Sequence, residues 1–259
     1  MIRRFDSLVH VTRDGAWMDG KCDASVRRLI HELDRGRVDR ACLVGLAGIV
    51  DDDYLLECAR SAGDRLVPVA GFDPSAHASV ESARHAIGRL SSKGFPAVKL
   101  HPRLNAYDPL DERCLAAIDE AGAHRLVVFI DTLFRQRTHA TIHAADVIDR
   151  IAHACPNARI ILLHGGGAAL LDVAEVVRVR AALILDVSFT LLRYAGASLD
   201  SDLRWTMSHL DQRIVVGSDM PEYTPEMAFA RAEELTADLP EEKRENIMHA
   251  NLDRLFPAR

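Results

Sequence analysis

Eight short runs rich in Val, Ile and Leu recur along the chain, and each is followed by a longer stretch with the spacing of an amphipathic helix. The runs lie at 3–11 (RRFDSLVHV), 39–46 (DRACLVGL), 65–72 (RLVPVAGF), 96–100 (PAVKL), 125–131 (RLVVFID), 158–164 (ARIILLH), 181–189 (AALILDVSF) and 212–219 (QRIVVGSD). Several are continuously apolar, as strands covered on both faces require. Between them, Val26, Leu29, Ile30 and Leu33, and again Val80, Ala83, Ile87 and Leu90, follow the spacing of one helix face. The alternation predicts βα units with parallel strands, an α/β fold. Eight units in 259 residues fit one (β/α)8 TIM barrel that spans 1–259 as a single domain. A stretch at about 240–256 (LPEEKRENIMHANLDRLF) carries Ile247, Leu252, Leu255 and Phe256 as an apolar stripe. It predicts a C-terminal helix packed across the outside of the barrel.

A doubly wound open sheet also alternates strand and helix, and counting strands does not separate the two. The polar residues do. A barrel gathers its chemistry from the C-terminal ends of many strands, first and last included. Here the runs end in His10, Lys99 with His101, Asp131, His164, Ser188 and Asp219, six of the eight.

His164 precedes Gly165, Gly166 and Gly167, a turn that leaves backbone N–H groups open to a ligand. An imidazole there suits general acid–base work or metal ligation, against the plainer role of a buried histidine behind a capping glycine loop. Asp219 follows IVVGS and precedes Met220-Pro221. It is placed to hold a cation or take a proton from water, or to initiate an Asx turn. Lys99 and His101 alternate along KLHP and so point to the same side. An inward lysine needs a carboxylate or an anionic ligand beside it, which favours a site role over an ion pair with Asp131 or Asp219. His10 has Leu8 two residues before it, which weakens a metal site built on that strand.

Arg103, Arg135, Arg137 and Arg193 follow predicted strand ends, and guanidinium forks bind carboxylates bidentately. They point to a small anionic substrate, with His101, Arg103, Arg193 and Ser188 as its contacts. The formal charge, 32 basic against 38 acidic residues for a net of −6, argues against a nucleic-acid partner. Five scattered cysteines without a C-x-x-C pair predict reduced thiols, and the absence of a signal-like or spanning apolar segment predicts a cytoplasmic protein without a membrane partner. A homo-oligomer is compatible with all of this.

Taken in order, DSLVH (6–10), GFPAVKLHPRL (94–104), ILLHGGG (161–167), LDVSF (185–189), VVGSDMPE (215–222) and NLDRLF (251–256) resemble the amidohydrolase superfamily. Within it they are similar to the amidohydrolase-related (amidohydrolase 2) branch of TIM-barrel metal-dependent hydrolases, lactonases and decarboxylases. The resemblance spans nearly the whole chain. It implies that Asp219 is both metal ligand and proton acceptor, that His164 orients or activates water, and that Lys99 matches the lysine of the KxHP segment. The family's first strand reads D-x-H-x-H where this chain has Leu8 and His10, and a strand-five histidine is replaced by Ile130-Asp131-Thr132. Two of four expected ligand positions therefore differ.

Zinc or manganese on His10, Asp131 and Asp219, and a metal-free site, both follow from that set. The leading expectation is a hydrolase of a small carboxylate-bearing substrate, acting at a C–N, ester or lactone bond. Asp219 activates water, His164 assists proton transfer and Lys99 polarises the carbonyl. The alternatives are a decarboxylase using the same pocket and an inactive barrel kept as a binding protein.

Overall fold

The computed structural model describes residues 2–18, 20–134 and 143–258. Eight strands form one parallel sheet in sequential order: β1 (Phe5–Val9), β2 (Arg40–Val44), β3 (Leu66–Phe72), β4 (Ala97–Leu100), β5 (Val127–Asp131), β6 (Arg159–Leu163), β7 (Leu183–Asp186) and β8 (Ile214–Val215). The last strand meets the first. Ser7 N donates to Val216 O at 3.0 Å, Asp219 N to Leu8 O at 2.9 Å and His10 N to Met220 O at 2.8 Å. The sheet is thus a barrel and not an open sheet, as the polar strand ends predict.

Each run forms its strand because alternate side chains have two different apolar environments to enter. On β2, Cys42 and Val44 join an inner cluster with Leu8, Val69, Phe129, Leu163 and Val215, while Ala41 and Leu43 face the helices. The same parity fixes the site. Ala97 is inside, so Lys99 and His101 point inward; Val127 and Phe129 are inside, so Asp131 does too, whereas Ile130 packs outward. The connecting helices form on the predicted stripes: Val26–Arg35 is capped by the Ser25 side chain and buries Leu29 and Leu33, and Val80–Lys93 buries Ala83 and Ile87.

The C-terminal segment differs from expectation in its position. Helix Glu241–Glu245, a π turn over Asn246–Ala250 and helix Asn251–Leu255 run continuously, but they close the N-terminal end of the barrel and do not lie along its side. Leu252 and Phe256 belong to the inner cluster, with the Phe256 ring 6.2 Å from Phe129 and 6.5 Å from Phe5. Arg40 fastens this plug. Its guanidinium lies over Phe5 and donates to Asp253 at 2.9 Å and to Phe256 O at 2.7 Å. Burying a phenylalanine in this way stabilises by about 1.5–3 kcal/mol, which explains why the stripe turns into the barrel end.

No disulfide forms among the described residues, and Cys42, Cys58, Cys114 and Cys155 are buried. No helix among the described residues is long and apolar enough to cross a membrane.

Candidate functional site

The C-terminal ends of the strands bring His10, Lys99, His101, Asp131, His164 and Asp219 to one mouth, and all six are buried or nearly so. The side divides in two around Lys99.

On the β8 side, Asp219 Oδ1 faces His10 Nε2 at 3.6 Å. His10 Nδ1 lies 2.6 Å from the Val44 carbonyl, so Nδ1 donates inward and Nε2 is turned to the mouth. Its ring stacks on Trp17 at 5.3 Å, and Trp17 Nε1 donates to Glu222 at 3.0 Å. Burial and the Lys99 charge hold His10 below its ordinary pKa, so the ring is neutral. Burial alone would raise Asp219; its contact with His10 and the positive charges of His164 and Lys99 outweigh it, and the carboxylate stays ionised. Asp219 sits at φ 59°, in the left-handed region that disfavours any side chain. Residues held this way cluster where a side chain must be aimed.

On the β5 side, Asp131 is completely buried and its Oδ2 is surrounded: His164 Nε2 at 3.3 Å, Arg103 Nη2 at 3.4 Å and His101 Nε2 at 3.5 Å. Burial pushes this carboxyl up, but His101, His164 and Arg103 together hold it well below the carboxylate range. Leu104 N donates to His101 Nδ1 at 3.3 Å, which leaves the proton on Nε2. Burial lowers His101 to about 3 and keeps it neutral. His164 goes the other way. Burial opposes its charge, yet the bond to Asp131 and the charges of Asp219 and Asp131 raise it, so it is the imidazolium of the site.

Lys99 lies between the two sides, with burial lowering its pKa and Asp219 and Asp131 countering. Both carboxylates act on it through their charge, and no direct ion pair joins it to either among the described residues.

His164 has φ 66° and is followed by three glycines at φ 55°, 75° and 62°. A Cβ on Gly166 would come within 2.6 Å of Val173, so the turn admits only glycine there. Thr132 Oγ1 accepts from Gly166 N at 2.8 Å and ties this turn to β5.

Beneath the mouth lies a polar tier that the sequence reading did not assemble. Asp186, the last residue of β7, accepts from Ser7 Oγ, Ser188 Oγ, Ser188 N and His164 N. Asp6 Oδ1 accepts from Leu8 N at 3.0 Å and Ser218 N at 2.9 Å. Burial raises Asp6 to about 7. The signal was available in D-x-S at 186–188 and D-S at 6–7, but period-two alternation does not say which strand ends meet across a barrel.

Ser188 belongs to this tier. It is fully buried with its hydroxyl on Asp186 and His164, so it stands behind His164 and not at the open mouth where a substrate contact was expected. Arg103 is exposed and reaches Asp131. Arg193 ends the short helix Thr190–Arg193, exposed, and its charge opposes the rise that burial gives the Tyr223 phenol. Arg135 and Arg137 lie outside the described residues.

The residues do not fit a divalent metal. A stable site needs three or four converging ligands, and among the described residues no three His, Cys, Asp or Glu groups are arranged to hold an ion: His101 and His164 approach Asp131 with their Nε2 protons turned to it and not with open lone pairs. Leu8, at the altered family position, is fully buried in the inner apolar cluster. Of the carboxylates that remain, Asp219 faces His10 and Asp131 Oδ2 faces His101, His164 and Arg103, while Asp131 Oδ1 is buried without a hydrogen-bond partner among the described residues; with the charge of Lys99 acting on both, a divalent ion would add charge to a pocket that holds cations of its own.

A family model described as amidohydrolase matches residues 19–258. No functionally curated protein matches the sequence significantly. Among solved structures, an uncharacterized TIM-barrel protein from Bordetella bronchiseptica has a TM-score of 0.81 at 16% identity, covering 98% of each chain. A probable 2-pyrone-4,6-dicarboxylic acid hydrolase from Acinetobacter baumannii, with citric acid bound, has a TM-score of 0.72 at 15% identity, covering 98% of this chain and 99% of its own. A 5-carboxyvanillate decarboxylase from Novosphingobium aromaticivorans, complexed with manganese and a nitrobenzoic acid, has a TM-score of 0.71 at 12% identity, covering 98% of this chain and 96% of its own.

Proposed function

The chain belongs to the amidohydrolase family, and from that premise we propose that it hydrolyses a C–N, ester or lactone bond in a small carboxylate-bearing substrate. The observation that carries this is the contrast within the mouth. Asp219 keeps some solvent contact, faces one histidine at 3.6 Å and lies beside the Lys99 charge. It is the carboxylate free to act on water.

In this reading a water gives its proton to Asp219 while its oxygen bonds the substrate carbonyl carbon. The Lys99 ammonium stabilises the oxyanion that develops, a task worth most in a water-poor pocket. As the bond to the leaving atom breaks, His164 Nε2 gives that atom a proton, and the proton on Asp219 returns to the imidazole. Asp131 holds the imidazolium until then. Arg103 and Arg193 supply forks for the substrate carboxylate at the rim. No step is assigned to a metal, because the donor set does not fit one.

Decarboxylation is the second reading, favoured by the solved structures named as decarboxylases. There the same imidazolium would protonate carbon as CO2 leaves. A panel of carboxylated esters, lactones and amides, followed by acid release and by headspace CO2, separates the two. Acid release without CO2, lost in Asp219→Asn, is expected. CO2 release overturns the hydrolase in favour of the decarboxylase, and binding without turnover overturns both in favour of a binding protein.

A further inference from the structure

Every polar group of His164 is taken, and residues 186–190 take most of them. Its backbone N–H donates to Asp186 Oδ1 at 3.0 Å and its carbonyl accepts from Thr190 Oγ1 at 2.6 Å. Ring Nδ1 lies 3.1 Å from Ser188 Oγ and 3.3 Å from the Ser188 carbonyl. Only Nε2 is turned elsewhere, to Asp131 at the mouth.

The hydroxyl of Ser188 has one proton, and it donates to Asp186. Oγ therefore meets Nδ1 as an acceptor, and so does the Ser188 carbonyl, which has no proton to give. Both partners of Nδ1 demand that Nδ1 carry hydrogen. Asp186 is itself fixed from a third strand, since Ser7 of β1 donates to Oδ2. Gly217 leaves room for this: a Cβ there would run into Ser7 Oγ and come within 3.1 Å of Ser188 Cβ. Asp186 is completely buried and does not reach the mouth, so whatever it contributes to the reaction passes through His164.

We propose that Asp186 and Ser188 are positioning residues that lock His164 with its Nδ1 proton held inward, leaving Nε2 as the one ring nitrogen that exchanges a proton at the mouth. A histidine whose far nitrogen is fixed by a buried acceptor presents one tautomer and one ring plane, and the reacting geometry is set before a substrate arrives. The lock draws on β1, β6 and β7 together. The charged and titratable groups around the ring are Asp131 from β5, Lys99 and His101 from β4, Asp186 from β7 and Asp219 after β8. The inference rests on His164 as the proton carrier, but its test needs no substrate, so it can fail while the hydrolase reading stands, and the reverse.

The test is two-bond proton–nitrogen NMR of the full chain labelled with 15N-histidine, with His164 assigned by its loss in His164→Asn. In the wild type, His164 Nδ1 is expected to be protonated and slow to exchange with water across the pH range in which the protein is folded. Ser188→Ala, which keeps the residue-188 carbonyl but loses the hydroxyl, should exchange its Nδ1 proton with water at least about 10-fold faster, and Ser188→Thr, which keeps the hydroxyl, should hold the wild-type rate. A wild-type ring with a bare Nδ1 overturns the proposal, and that result needs no variant to fold. So does a Ser188→Ala protein, folded by circular dichroism, whose Nδ1 proton exchanges at the wild-type rate.

Discussion

The β5 and β8 sides of the mouth each present one aspartate, and the two could hardly be more differently held. Asp131 is sealed from solvent and faces two imidazoles and a guanidinium. Asp219 keeps a side-chain exposure of 13% and faces one imidazole, itself neutral. The charge is the same; the number of donors already committed to it is not. The donors on Asp131 gather on Oδ2 and its buried Oδ1 has no partner among the described residues, so it acts as counter-ion from one edge and out of reach of solvent, whereas Asp219 has lone pairs that water can reach.

The largest effect expected from this contrast is on turnover. Asp219→Asn should lower kcat by about 10²–10⁴-fold while leaving the thermal midpoint near wild type. Asp131→Asn should instead lose stability, and kcat with it. If the two variants lose activity alike and neither loses stability, the two sides are equivalent and the contrast is gone.

Next is the cost of emptying the β5 side. Asp131→Ala leaves the His164 imidazolium buried without its partner, which should remove about 3–5 kcal/mol of unfolding free energy in urea titrations. A loss under about 1 kcal/mol would mean that Asp131 is not holding that charge.

The pH dependence follows from two shifts of opposite sign. Asp131 is depressed in the native state, so its contribution is complete above the ordinary carboxylate pKa of about 4 and is lost as pH falls from there toward its native value. Asp6 is raised to about 7, so the native state keeps a proton that the unfolded chain gives up near 4. Between those values the unfolded state binds fewer protons, and stability falls as pH rises. Thermal midpoints across pH should therefore decline on both flanks, with Asp131→Asn flattening the acid flank and Asp6→Asn the neutral one.

The smallest effect belongs to the rim. Arg103 is half-exposed, and Arg103→Ala should raise KM for the carboxylated substrate about 3- to 10-fold with little change in kcat. An unchanged KM would remove Arg103 from substrate binding.

Most of the mouth was legible because strand ends and alternation are local facts. KLHP puts Lys99 and His101 on one side whatever the rest of the chain does, and apolar runs ending in Asp131, His164 and Asp219 mark strand ends directly. What the sequence left unassigned depends on contacts between distant strands. Ser188 ends its run as a polar residue like the others, and only the approach of Ser7 and His164 to Asp186 turns it inward. The strand β8 illustrates the same limit. Its predicted run covers 212–219, yet only Ile214–Val215 forms regular strand, because at the closing seam Ser218 N donates to the Asp6 side chain and breaks the ladder to β1. The C-terminal stripe was visible as a stripe, but a stripe does not name its partner, and Phe5 and Phe129 are that partner.

That plug has a consequence for how the protein is made. The inner cluster is complete only when Leu252 and Phe256 arrive, and the strand they cover, β1, precedes them by the whole length of the barrel. Until the stretch bearing Phe256 has been made, Phe5 and Phe129 lack the ring that covers them in the folded protein. Uncovered apolar surface of this kind is what chaperones bind. The mouth is built from residues spread over most of the strands, but the barrel is sealed from its other end, by the segment that follows all eight of them.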